Sequence, residues 1–122
     1  MSLGQRTILV VDDDEDILNL ARAYLADQGY NVLHAPNAAE GLRILKGAKV
    51  DLLFTDIVMP GDMDGFDLAE QARQACPGLR VLYTSGFLKE LPRRGTTPPE
   101  GAMLPKPWRL SHLDEAVKRA FD

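Results

Sequence analysis

The stretch DLLFTDIVMPGDMDG, residues 51–65, decides how the rest of the chain is read. Leu52, Leu53 and Phe54 form an apolar run too short for a helix, and the run stops at a carboxylate, Asp56. Pro60 and Gly61 then break the chain, and the Asp- and Gly-rich residues behind them read as a turn. A single acid at the mouth of a buried strand needs companions delivered by other elements.

Upstream, Ile8-Leu9-Val10-Val11 is a second short run rich in β-branched residues, expected as a strand buried on both faces, and it ends in Asp12-Asp13. Ile17, Leu18, Ala21, Tyr24 and Leu25 then recur at helical spacing to about Gln28, where Gly29 stops the helix. Asn31 to Ala35 reads as another strand. Asn37 and Glu40 predict the N-cap of a helix that carries Leu42 and Leu45 and closes at Gly47.

The apolar run of the opening stretch becomes the third strand, Val50 to Thr55. Gly65 to Ala75 is predicted as a helix with Phe66, Leu68, Ala69 and Ala72 inward, ended by Pro77-Gly78. Arg80 to Thr84 is a fourth strand and Ala102 to Leu104 a short fifth. Ser111 and Asp114 are expected to cap a last helix whose Leu113, Ala116, Val117, Ala120 and Phe121 form one stripe. Between the fourth and fifth strands Pro92, Gly95, Pro98 and Pro99 leave room for about a turn of helix, around Leu88 to Leu91. The expected fourth helix is therefore shortened or irregular. Strands alternating with helices imply an α/β fold, a doubly wound five-stranded parallel sheet covered on both faces.

The bulk properties narrow the setting. A chain of 122 residues fits one domain, taken as residues 7–122 with residues 1–6 as a leader. A formal charge of −4 argues against direct binding to nucleic acid or to an anionic membrane surface. The single cysteine, Cys76, excludes an internal disulfide and suits a cytoplasmic location. No run approaches the roughly 18 apolar residues of a membrane span.

In parallel sheets the functional groups gather beyond the carboxyl ends of the strands. Here those ends carry Asp12-Asp13, Asp56, the hydroxyls of Thr84-Ser85 and, after the fifth strand, Lys106. Three acids desolvated together repel strongly unless a cation neutralises them. An all-oxygen ligand set with waters retained suits Mg²⁺ better than a closed Ca²⁺ cage. Acids holding a metal, an acid free to attack, a lysine and a hydroxyl together make a phosphoryl-transfer site. Asp14, Glu15 and Asp16 are better explained as the acidic start of a helix, and Asp62 and Asp64 as turn and cap residues. His34 and His112 are isolated and receive no role. Most lysines are solvated surface residues, but Lys106 is stiffly aimed by Pro105 and Pro107.

With ILVVDDDEDI, DLLFTDIVMPGDMDG, VLYTSG and LPKPW in this order, the chain from Thr7 to Phe121 resembles the receiver domain of two-component response regulators. The resemblance implies the flavodoxin-like strand order 2-1-3-4-5. It implies that Asp56 accepts a phosphoryl group from a phosphohistidine on a histidine kinase or histidine phosphotransfer protein. It further implies Asp13 as a direct Mg²⁺ ligand, Asp12 acting through water, Asp56 itself and the Val58 carbonyl as further ligands, and a cis Lys106-Pro107 peptide. Ser85 matches the family's switch hydroxyl, with Thr84 the neighbouring alternative, and Lys106 matches the lysine that pairs with phosphoryl oxygens.

Two departures stand out: Met103 occupies the place of a common switch aromatic, and the fourth helix is weak. Apolar Val58 and Phe87 beside the site are expected to hinder an attacking water and slow dephosphorylation. The chain is thus read as a signalling switch with an unknown output protein, not as an enzyme acting on other substrates. The alternatives are a phosphorylation-independent interaction module and a Mg-dependent aspartyl-phosphate phosphatase, although the latter needs a second acid where Val58 stands.

Overall fold

The computed structural model describes residues 5–86 and 102–122. Along the chain they form β1 (Thr7–Val11), α1 (Glu15–Asp27), β2 (Asn31–Ala35), α2 (Ala38–Gly47), β3 (Leu52–Asp56), α3 (Gly65–Ala75), β4 (Arg80–Ser85), β5 (Met103–Pro105) and α4 (Leu110–Phe121). The predicted irregular fourth helix and Phe87 lie outside the described residues.

The local chemistry explains most boundaries. Asp14 caps α1, its carboxylate accepting from the Asp16 and Ile17 amides at 3.0 and 3.3 Å. Gly29, at φ +98°, takes the left-handed turn just after the helix. Asn37 Oδ1 accepts from the Glu40 amide at 2.8 Å, while the Glu40 carboxylate turns to Arg43 instead of back to the cap. Asp64 and Asp67 close a full capping box at the start of α3.

The last helix departs from expectation. It begins at Leu110 with Arg109 in the cap position and no side-chain cap bond, so Ser111 lies inside its first turn. Asp114 pairs instead with Lys118 at 2.8 Å. The chain leaves Pro107, lays Trp108 against Phe54 with ring centroids 6.0 Å apart, and enters the helix at once. Packing of that ring outranks the cap preference of Ser111.

All strands pair in parallel in the order β2-β1-β3-β4-β5. Side chains alternate across such a sheet, which separates two cores. Leu9, Val11, Leu53 and Tyr83 face α2 and α3 and pack with Leu45, Leu68, Ala69 and Ala72. Ile8, Val10, Leu52, Phe54 and Leu82 face α1 and α4 and pack with Leu18, Ala21, Leu25, Leu113 and Val117. Every residue of β3 is buried, as its unbroken apolar run requires. At the far end of the sheet the Arg6 guanidinium sits 4.4 Å over the Phe121 ring, which also stacks on Tyr30 and anchors the end of α4.

The order reverses at β1, where the chain passes first to β2 and later, on the other side, to β3. The crevice between their carboxyl ends is the natural place for a ligand.

Candidate functional site

Three loops meet at that crevice. β1 runs directly into Asp12, which is buried, and then Asp13, which is exposed. Asp12 Oδ1 accepts from the Asp14 amide at 2.9 Å, which aims the other oxygen into the crevice. β3 ends on Asp56, 5% exposed, whose Oδ1 accepts from the Val58 amide at 3.3 Å. Lys106 enters from beyond β5. Its Nζ donates to Asp56 Oδ2 at 3.1 Å and lies 3.0 Å from Asp12 Oδ2.

The second of these contacts is an ion pair without a directed hydrogen bond, so Asp12 Oδ2 is a buried oxygen lacking a donor. One oxygen each of Asp12, Asp13 and Asp56 lies within 4.8 Å of the others. Three carboxylates against one ammonium leave the ionised cluster with an excess of two negative charges. A hard divalent cation fits this all-oxygen, net-negative set, in which the buried Asp12 Oδ2 has only the Lys106 ion pair against it among the described residues.

The electrostatics record the crowding. Burial, then the charge of Asp12, pushes the Asp56 carboxyl up to about 6 against the pull of Lys106. Burial also raises Asp12. Burial works against the Lys106 ammonium, but its contacts with Asp12 and then Asp56 outweigh that and raise its pKa. Lys106 is therefore a fixed positive charge, and Asp56 is a carboxylate that its surroundings make unusually basic.

The structure brings Asp12, Asp13, Asp56 and Lys106 together and places Val58, half-buried, beside Asp56. The two candidate hydroxyls part company. Thr84 Oγ1 donates to the Leu104 carbonyl at 2.6 Å, a buried bond across to β5. Ser85 is fully buried, and its carbonyl accepts from the Lys106 amide at 3.1 Å. The Lys106-Pro107 peptide is cis. Met103 lies half-buried at the start of β5, and Tyr83 is buried against Phe66, 5.0 Å between ring centroids.

One positioning feature escaped the sequence reading. A Cβ on Gly65 would fall 2.3 Å from the Asp56 carbonyl oxygen and 2.8 Å from the Ile57 Cα. With no side chain, Gly65 lets its amide reach the Ile57 carbonyl at 2.8 Å, folding α3 tightly against the end of β3. The signal was a glycine at the first position of a helix, which propensity alone disfavours.

A parallel sheet of this order with an acid-lined crevice, an acid at the end of the central strand and a lysine facing it defines a phospho-accepting signalling domain. The family model described as the response regulator receiver domain matches residues 8–118, and the chain belongs to that family of two-component signalling proteins. It is 33% identical over 115 residues to the response regulator receiver protein CpdR of Brucella abortus, covering 93% of this chain and 95% of that one. It is 30% identical over 122 residues to the sensor kinase CckA of the same organism, covering 98% of this chain but only 13% of the kinase. Among solved structures, a response regulator receiver protein from Sinorhizobium medicae superposes with a TM-score of 0.82 at 32% identity, covering 98% of this chain and 96% of that chain. Among the described residues no helix is long and apolar enough to cross a membrane.

Proposed function

We propose that Asp56 is the phosphoryl acceptor, taking the group from a phosphohistidine on a histidine kinase or histidine phosphotransfer protein. In this reading an Asp56 oxygen attacks in line the phosphorus of a phosphohistidine protonated on its other ring nitrogen. The P–N bond breaks with its electron pair going to the ring, and neutral imidazole leaves. Lys106 holds its charge against the Asp56 oxygen, ready to neutralise the equatorial oxygens of the transferred group. The Ser85 hydroxyl, which matches the family's switch position in sequence, serves as the switch donor to that group, while Thr84 donates to Leu104.

Asp13, Asp56 and the Val58 carbonyl would hold Mg²⁺, with Asp12 acting through water. When bound, the ion neutralises charge on the transferring oxygens. The observation that carries this reading is the Lys106 ammonium 3.1 Å from Asp56 Oδ2, with the Asp12 and Asp13 carboxylates gathered around it.

Residues 7–122 act in this proposal as one receiver in the cytoplasm, without direct contacts to nucleic acid or membrane. Phosphorylation shifts a two-state equilibrium that alters binding of an output protein. The domain would also catalyse its own slow dephosphorylation and no reaction on another substrate. Intact mass after incubation with acetyl phosphate and Mg²⁺ tests the reading. One phosphoryl group is expected on the wild type and none on Asp56→Asn, with uptake abolished by a chelator. A wild type that gains nothing from acetyl phosphate or from any phosphohistidine donor would overturn it.

A further inference from the structure

We propose that Thr84 is a positioning residue that holds Lys106 against the carboxylates by tying β5 to β4 through its hydroxyl. The inference rests on the phosphoryl-acceptor reading of Asp56 and adds to it a residue that touches neither donor nor metal.

Lys106 directly follows β5, the shortest strand among the described residues. β4 pairs with β3 over five residue positions but with β5 over only three. The last of those three is Pro105, which brings no amide hydrogen to the ladder. Backbone bonds from the Tyr83 amide to Ala102, at 2.7 Å, and from the Lys106 amide to Ser85, at 3.1 Å, bracket this short edge. Between them the Thr84 hydroxyl adds a 2.6 Å bond to Leu104, two residues before Lys106.

Thr84 is 2% exposed and pairs in register with Asp56 on its other side. One residue thus links the strand that ends in Asp56 to the strand that leads into Lys106. A lysine that approaches two oxygens at 3.0 and 3.1 Å depends on the placement of its backbone, and displacement of about an ångström can lower a rate by up to about a hundredfold.

The test is a double-mutant cycle read by intact mass, following phosphoryl uptake from acetyl phosphate with Mg²⁺. Thr84→Val keeps the side-chain shape and removes the hydroxyl, and it is expected to slow uptake about tenfold. Thr84→Ser keeps the hydroxyl and is expected to stay near the wild-type rate. In a Lys106→Ala background, Thr84→Val should cause no further loss, because the group it positions is gone.

A wild-type rate for Thr84→Val, a Thr84→Ser variant as slow as Thr84→Val, or losses that multiply with Lys106→Ala would each overturn the proposal. Amide hydrogen exchange supplies a readout independent of phosphorylation. The Lys106 amide should exchange faster in Thr84→Val and recover in Thr84→Ser, while the β1 amides stay as protected as in wild type. Unchanged protection at Lys106 would defeat the inference even for a protein that accepts no phosphoryl group, whereas lost uptake in the wild type would defeat only the underlying reading.

Discussion

Asp56 and Val58 illustrate how two neighbouring side chains divide chemistry between them. Asp56 is the proposed acceptor, and Val58 lends its amide to one of its oxygens at 3.3 Å while Val58 itself stands half-buried beside the site. An aliphatic group there cannot orient a water molecule for attack on phosphorus. Val58→Asn offers hydrogen-bonding atoms in nearly the same volume, and the phosphorylated form is expected to decay several-fold faster. Mass spectra taken at intervals after removal of the donor measure this lifetime; an unchanged half-life would clear Val58 of any role in it. Asp12 and Asp13 make a related point: adjacent in sequence and alike in chemistry, one is buried and the other exposed.

Helix α3 controls the loop that carries Val58. Its start combines the capping box of Asp64 and Asp67, with bonds of 2.9 and 3.0 Å, and the side-chain-free approach of Gly65 to β3. Asp64→Ala removes the cap and is expected to lower stability by about 1 kcal/mol, seen as a smaller urea midpoint with an unchanged slope. Gly65→Ala puts a methyl group against backbone atoms that have no rotamer to escape into. A larger loss is expected, on the order of 1–3 kcal/mol, with slower phosphoryl uptake as the loop shifts. If Gly65→Ala unfolds at the wild-type midpoint and takes up phosphate at the wild-type rate, the tight approach has no mechanical importance. The caps at Asp14, Asn37 and Asp64 were legible because capping is local chemistry, whereas the start of α4 was misplaced because Trp108 packing on Phe54 is not.

At the scale of the whole molecule the acidic crevice contributes to the pH dependence of stability. The folded-state pKa of Asp56, about 6, lies above its ordinary value of 3.8, so the folded protein binds this proton more tightly than the unfolded chain. The resulting stabilisation is complete below the unfolded pKa and is lost as pH rises through the folded one. Asp12 is raised in the same direction and titrates with Asp56 as a coupled pair. Lys106 is raised as well, but its contribution disappears only in the alkaline range.

Metal-free protein is therefore expected to lose stability between about pH 4 and pH 7, on the order of 1–3 kcal/mol from this cluster. Asp56→Asn should flatten that slope and exceed the wild type in stability at neutral pH. Mg²⁺, which favours the ionised carboxylates, should restore wild-type stability at pH 7 and leave Asp56→Asn less affected. Urea midpoints across pH at constant ionic strength, with and without Mg²⁺, measure all three effects. A wild type and Asp56→Asn with parallel pH profiles would show that the crevice stores no electrostatic penalty.

The strands and helices among the described residues were readable from the chain, because apolar periodicity and turn chemistry act over a few residues. So were Asp12, Asp13, Asp56 and Lys106 as acids and a cation at or beyond the carboxyl ends of strands, since parallel sheets collect polar groups there. The strand order came from resemblance to a family, not from any local pattern, because which strands pair is a property of crossovers many residues long. The choice between Thr84 and Ser85 was open in the sequence, and the hydrogen bond from Thr84 to Leu104 became visible only through packing. A side chain's face and hydrogen-bond partner depend on where β5 lies, and that position is fixed by a strand 20 residues away in the chain.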